Sequence, residues 1–168
     1  MNVYLMRHGI AQPKDDPKIG SDDERELTKK GAKKARKAAK GLRALKIPFD
    51  RIITSPLSRA RETAEIVAKV FDMEEQVEEA PELKPQASVE SLAARLLEYR
   101  DCQELLLVGH QPFLGKAASL LLCRNESANV ELKKSGICCI ELNELDMKKP
   151  GVLRWMLTPR QLRKLRYS

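Results

Sequence analysis

The 168-residue chain has two imidazoles to work with, His8 and His110. Each follows an apolar run: His8 comes after Val3–Met6 and Arg7, and His110 after Leu105–Val108 and Gly109. A third run, Arg51–Thr54, leads into Ser55-Pro56 and a segment that carries Arg59. In open α/β sheets, ligands bind beyond the carboxyl ends of the strands. If the three runs are neighbouring strands, Arg7, His8, Arg59 and His110 converge on one spot. Two guanidiniums and two imidazoles suit a dianion, because the planar arginine fork matches phosphate oxygens. A neutral, oriented imidazole is a competent nucleophile toward phosphorus. Cations around it stabilise a transferring phosphoryl group, and a protonated His110 would be one of them. Gly9 and Gln111, beside the two histidines, are further candidates for substrate contact, since glycine permits close backbone approach.

Arg61 is the rival to Arg59. The two lie about 200° apart on a helix of 3.6 residues per turn, so only one faces the site. Arg59 falls beside Thr63 and Val70, near the buried side, and the pattern prefers it slightly.

The elements that must hold these residues are legible as alternating patterns. Further strand candidates are Ile137–Leu142, Val152–Leu157 and a weak one at Gln76–Glu78. Leu105–Val108 is continuously apolar, as a strand buried on both faces would be. Four helical segments lie between. The first follows Thr28, a capping residue, and carries Ala32, Ala35, Ala39 and Leu42 at helical spacing. The second is expected to open at Ser55-Pro56, a serine cap with proline in the first turn. The third spans roughly Ser88–Tyr99, and the fourth runs from Pro112 through Leu122. The alternation predicts a three-layer α/β/α domain, its sheet mainly parallel with helices on both faces. One domain over residues 1–168 fits the length. The loop Gln12–Glu26 is the longest irregular stretch expected.

The motifs resemble those of the histidine phosphatase (phosphoglycerate mutase-like) superfamily. Leu5-Met6-Arg7-His8-Gly9 resembles its signature. Leu27-Thr28-Lys29-Lys30-Gly31 is similar to its Leu-Thr-x-x-Gly element. Ser55-Pro56-Leu57-Ser58-Arg59-Ala60 with Thr63-Ala64 resembles its second arginine motif, and Val108-Gly109-His110-Gln111-Pro112 its second histidine motif. The ending, Leu153-x-Trp155-x-Leu157-x-Pro159, is similar to the small SixA branch, the phosphohistidine phosphatases. The resemblance spans nearly the whole chain. It implies the phosphoglycerate mutase-like fold and a phosphohistidine intermediate on His8. Arg7, Arg59 and His110 would hold the phosphoryl group, which favours Arg59 over Arg61.

One departure from larger members bears on the substrate. They carry a glutamate that acts as general acid within long insertions, whereas here Glu78–Ser88 is short. Glu82 is the nearest candidate acid, and a solvated loop glutamate is the preferred reading. An imidazole leaving group has a pKa near ~6.5 against ~15 for an alcohol, so it needs less help from an acid. The short region also predicts an open pocket, able to admit a side chain displayed on another protein. These points favour a phosphohistidine-bearing protein, such as a histidine phosphotransfer domain or a phosphotransfer-system carrier. A small-metabolite phosphomonoesterase on the same core, or a non-catalytic phosphate-binding module, are the alternatives. No cofactor and no metal are called for.

Composition sets the remaining bounds. There are 31 Lys+Arg against 24 Asp+Glu, a formal +7 that favours anionic partners. Basic residues crowd the first helix (Lys29, Lys30, Lys33, Lys34, Arg36, Lys37, Lys40, Arg43) and the C-terminus (Arg160, Arg163, Lys164, Arg166). A solvated face, a dock for an acidic phosphoprotein and a nucleic-acid surface all fit that pattern. Aromatic residues are only 4%, without basic-aromatic interleaving, which argues against a single-strand binder. Neither a membrane span nor a signal peptide is recognisable, so the cytoplasm is expected. Adjacent Cys138 and Cys139 would point to opposite faces of a strand, and the four cysteines read as reduced thiols.

Overall fold

A computed structural model describes residues 1–143 and 149–165. Arg166, part of the basic C-terminal cluster, lies outside the described residues. Six strands form one sheet in the order β3-β2-β4-β1-β5-β6. These are β1 (Asn2–Arg7), β2 (Arg51–Thr54), β3 (Val77–Glu79), β4 (Glu104–Gly109), β5 (Ile137–Glu141) and β6 (Val152–Leu157). The first four pair in parallel; β5 and β6 are antiparallel additions beyond β1. The helices are α1 (Lys29–Arg43), α2 (Ser58–Phe71), α3 (Val89–Leu96), α4 (Phe113–Cys123) and α5 (Pro159–Leu165).

Successive strand residues alternate between two cores, which makes the three layers. Val3, Leu5, Leu105, Leu107 and Cys138 meet α3 and α4 on one face. Tyr4, Met6, Leu106, Val108 and Cys139 meet α1, α2 and Leu162 of α5 on the other. The two adjacent cysteines therefore separate as expected, and all four are free thiols.

The register aligns the strand ends that matter. Arg7 lies opposite Gly109 on β4, and Val108 opposite Thr54 on β2. The ladder runs one step further: His8 N–H donates to Gly109 O and Ser55 N–H to Val108 O, each at 3.0 Å. Thus His8, His110 and Ser55 leave three adjacent strands at one level.

Two helix assignments differ from the sequence reading. α2 starts at Ser58, not at Ser55-Pro56, because the Ser55 hydroxyl faces Leu57 N and the His110 ring. α4 starts at Phe113, after a cis Gln111–Pro112 peptide. α5 is an addition: its seven residues are too short for a periodic signal. Its place is fixed by Gly41, where an added Cβ would sit 1.7 Å from Leu162 O. Gly-to-Ala in an open helix gains up to about 1 kcal/mol. Here the backbone contact reverses the sign. Gly41→Ala should lower stability by about 2 kcal/mol or more, read as a fall in the urea midpoint. An unchanged or higher midpoint would refute this packing.

Candidate active site

The strand register brings Arg7, His8 and His110 together, and α2 delivers Arg59 to them. The ring centroids of His8 and His110 are 5.0 Å apart. His8 is 7% exposed, Arg59 4% and His110 2%, so these groups lie at the floor of a recess. Arg61 points elsewhere: its side chain is 46% exposed and lies 3.7 Å from Glu79 and 3.8 Å from Glu65. Arg59 is the arginine that faces the histidines.

His8 is oriented by its neighbour. Its Nδ1 lies 2.7 Å from Gly9 O. A carbonyl only accepts, so Nδ1 carries the proton and Nε2 keeps its lone pair. Gly9 is fixed in turn, since its N–H donates to Thr63 Oγ1 at 3.0 Å. Thr63 donates to Arg59 O at 2.6 Å, one turn back on α2. Gly9 thus positions His8, with both its backbone polar groups engaged. Leu27-Thr28-x-x-Gly31 performs a similar task. Thr28 caps α1 through Gly31 N–H at 2.9 Å, and its own N–H donates to Ile10 O at 2.9 Å. A Cβ on Gly31 would sit 2.0 Å from Ile10 O, so α1 abuts the turn after His8.

His110 is held by Ser55, whose Oγ lies 2.8 Å from Nε2. Its Nδ1 is buried without a partner. Gln111 donates through Nε2 to Val130 O at 2.8 Å, and its Oε1 is buried and unpartnered. Arg7 donates through Nη1 to Leu132 O at 2.9 Å. Arg59 Nη1 donates to Asp22 O at 2.6 Å, and Nη2 pairs with Asp22 Oδ2 at 2.9 Å. Arg25 holds the other oxygen of Asp22 at 2.7 Å, and this contact leads in keeping that carboxyl below the usual range.

Asp22, Ser55 and Leu132 escaped the sequence reading as site residues. Asp22 sits in the Gln12–Glu26 loop, whose acidic cluster was a usable signal. Leu132 acts through its backbone, which sequence type does not report. Glu82 is half-buried: its Oε2 is buried with no hydrogen-bond partner. Its short turn, Pro81–Leu83, packs beside Gly109: a Cβ there would lie 3.5 Å from Leu83 O.

Burial pushes the pKa of His8 down to about 3, with Arg59 and Arg7 acting in the same direction. Burial also pushes His110 down to about 3, helped by His8 and Arg59. Both rings are neutral near pH 7. The condition under which His110 would serve as a cation, a protonated ring, is thus disfavoured by its burial.

Comparisons with known proteins identify the family. A family model described as Histidine phosphatase superfamily (branch 1) matches residues 3–86. Phosphohistidine phosphatase SixA of Escherichia coli (strain K12) is 30% identical over 165 residues, covering 97% of each chain. An uncharacterized protein of Picosynechococcus sp. is 37% identical over 139 residues, 82% of each chain. The solved structure of the protein histidine phosphatase SixA complexed with tungstate superposes with a TM-score of 0.84 at 29% identity, covering 96% of this chain and 99% of that one. The chain belongs to the histidine phosphatase superfamily, and that membership supports phosphatase activity. Among the described residues no helix is long and apolar enough to cross a membrane, and no cluster could hold a metal ion.

The buried imidazoles make stability depend on pH. Each has a folded pKa below its unfolded value of 6.5. The unfolded chain therefore binds more protons between about pH 6.5 and 3, so stability falls as pH drops through that window. Each ring contributes on the order of 1.4 kcal/mol per pH unit there. Urea titrations at pH 7, 6 and 5 should show a shallower acid-side loss for His8→Asn than for wild type. Equal slopes would show that His8 is not held neutral by burial.

Proposed function

We propose that this protein is a phosphohistidine phosphatase. It removes the phosphoryl group from phosphohistidine on a signalling or phosphotransfer protein through a covalent phospho-His8 intermediate. The observation that carries the reading is His8 itself: Nδ1 tied to Gly9 O, Nε2 free, the ring neutral and flanked by Arg59 and Arg7. The likeness to SixA along nearly the whole of both chains supports this substrate class. The reading also takes residues 1–168 as one histidine phosphatase domain, acting in the cytoplasm beside its carriers.

His8 Nε2 attacks phosphorus, and the P–N bond to the substrate imidazole breaks. That imidazole leaves with a proton from solvent. Arg7 and Arg59 bind the equatorial oxygens as charge redistributes. His110 Nδ1, buried without a partner, is an atom that a phosphoryl oxygen would satisfy. An anion at that position also favours protonation of His110. Water then attacks phospho-His8, releasing inorganic phosphate and restoring the imidazole.

Glu82 supports a second reading. A buried carboxylate oxygen without a partner is a candidate proton donor for an alkoxide, so a small phosphate ester is the alternative substrate.

Side-by-side assays of a phosphohistidine protein and a panel of phosphate esters decide between them. Phosphohistidine should be hydrolysed far faster, with His8→Ala losing at least about 10³-fold and Arg59→Ala about 10²–10³-fold in kcat. A phospho-donor should leave an acid-labile, base-stable label that is absent in His8→Ala. Preference for an ester, abolished by Glu82→Gln, would overturn the phosphohistidine reading. Phosphohistidine left intact by wild type would do so too.

A further inference from the structure

Beside the catalytic recess runs a cleft of about 600 Å³ whose lining is strongly cationic. Arg7 belongs to both. Beyond it, the wall carries Lys34 of α1, Lys133 and Lys134 of the loop before β5, and Arg160 and Arg163 of α5. Glu131 is the one acid in the lining, and it is already paired with Lys133 at 2.8 Å. Among the described residues, Lys34, Lys134, Arg160 and Arg163 have no acidic partner. Packing assembles this charge from separate segments. The Gly41–Leu162 contact fixes α5 against α1, and Ser135 N–H donates to Arg7 O at 3.0 Å, fixing the loop to β1.

We propose that this cleft is the docking surface for acidic residues that surround the phosphohistidine on its carrier protein. The proposal rests on the phosphohistidine reading above and adds what selects the carrier. Both imidazoles are nearly buried, so a phosphohistidine must reach inward while its own protein stays at the mouth, where Arg7 joins the cleft. The chemistry of the lining favours carboxylates on a folded surface over a compact polyphosphorylated ligand. Its cations come from three separate segments, α1, the loop before β5 and α5, and are spread along the cleft instead of converging on one point, while arginine forks match carboxylates as they do phosphate. Cations at a rim speed and select encounters with an acidic partner.

The test compares wild type with Lys34→Glu/Arg160→Glu/Arg163→Glu and with the corresponding triple glutamine variant. None of these residues touches the reacting atoms. The substrates are a chemically phosphorylated histidine phosphotransfer protein with an acidic surface, the same carrier with that surface neutralised, and free phosphohistidine. On the acidic carrier, kcat/KM should fall at least about tenfold for the glutamate variant, less for the glutamine variant, and lose most of its salt dependence. Free phosphohistidine should be hydrolysed at the wild-type rate within about twofold, which also reports that the variants fold. Neutralising the carrier should reproduce the loss with wild-type enzyme. Unchanged carrier turnover in both variants overturns the docking site while leaving the phosphohistidine reading intact. An equal loss on free phosphohistidine overturns it as well, because the cleft would then be serving chemistry and not docking. If wild type hydrolyses no form of phosphohistidine, the underlying reading and the docking site fall together. A selective loss on a polyphosphorylated sugar, with the carrier unaffected, would assign the cleft to a small polyanion instead.

Discussion

Two imidazoles 5.0 Å apart, flanked by two guanidiniums, can share a buried recess only while both rings are uncharged. Like charges about 4 Å apart repel by about 4 kcal/mol at an effective dielectric of 20. Burial removes that problem by driving both protons off near neutral pH. The nucleophile then needs no base to activate it, because the lone pair on His8 Nε2 is already free. What it needs is direction, and the surrounding structure is arranged to supply that. Gly9 O holds the ring, Thr63 holds Gly9, and α2 carries Thr63 with Arg59.

The two arginines are treated differently. Arg59 is paired with Asp22, itself shared with Arg25, so its guanidinium already faces a carboxylate. Arg7 donates only to a backbone carbonyl and opens onto the cationic cleft. An incoming dianion therefore meets one arginine already paired with a carboxylate and one whose neighbouring acid, Glu131, is itself paired with Lys133. The recess is electropositive on the side toward α5 and partly compensated on the side toward the Gln12–Glu26 loop.

Much of this was legible in the amino-acid order, and the reasons for the exceptions are physical. Arg51–Thr54 and Val152–Leu157 form strands with the bounds their patterns predict. Each of the two histidines and Arg59 arrives where a strand end or the following helix places it. Ser55 is the instructive exception. Serine before proline reads as a helix cap, yet its hydroxyl is used by His110, and the helix waits until Ser58. A tertiary contact has overridden a local preference. Leu132 was invisible as a site residue because it contributes through main chain alone, and Asp22 was marked only by the acidic cluster of a loop remote in sequence from Arg59. Glu82 was legible only in part: a short loop segment suggests solvent, and the turn that carries it packs against the end of β4 and leaves it half-buried.

Cys138 and Cys139 give the sheet a property unconnected with its chemistry. They are neighbours in the chain, yet one is buried under α3 and α4 and the other under α1 and α2. Burial raises both thiols, to about 12 and about 11, so neither reacts readily while its layer is closed. Each becomes accessible only when its own helical layer lifts. The pair is thus a native two-channel gauge of partial unfolding, able to tell which side of the sheet opens first.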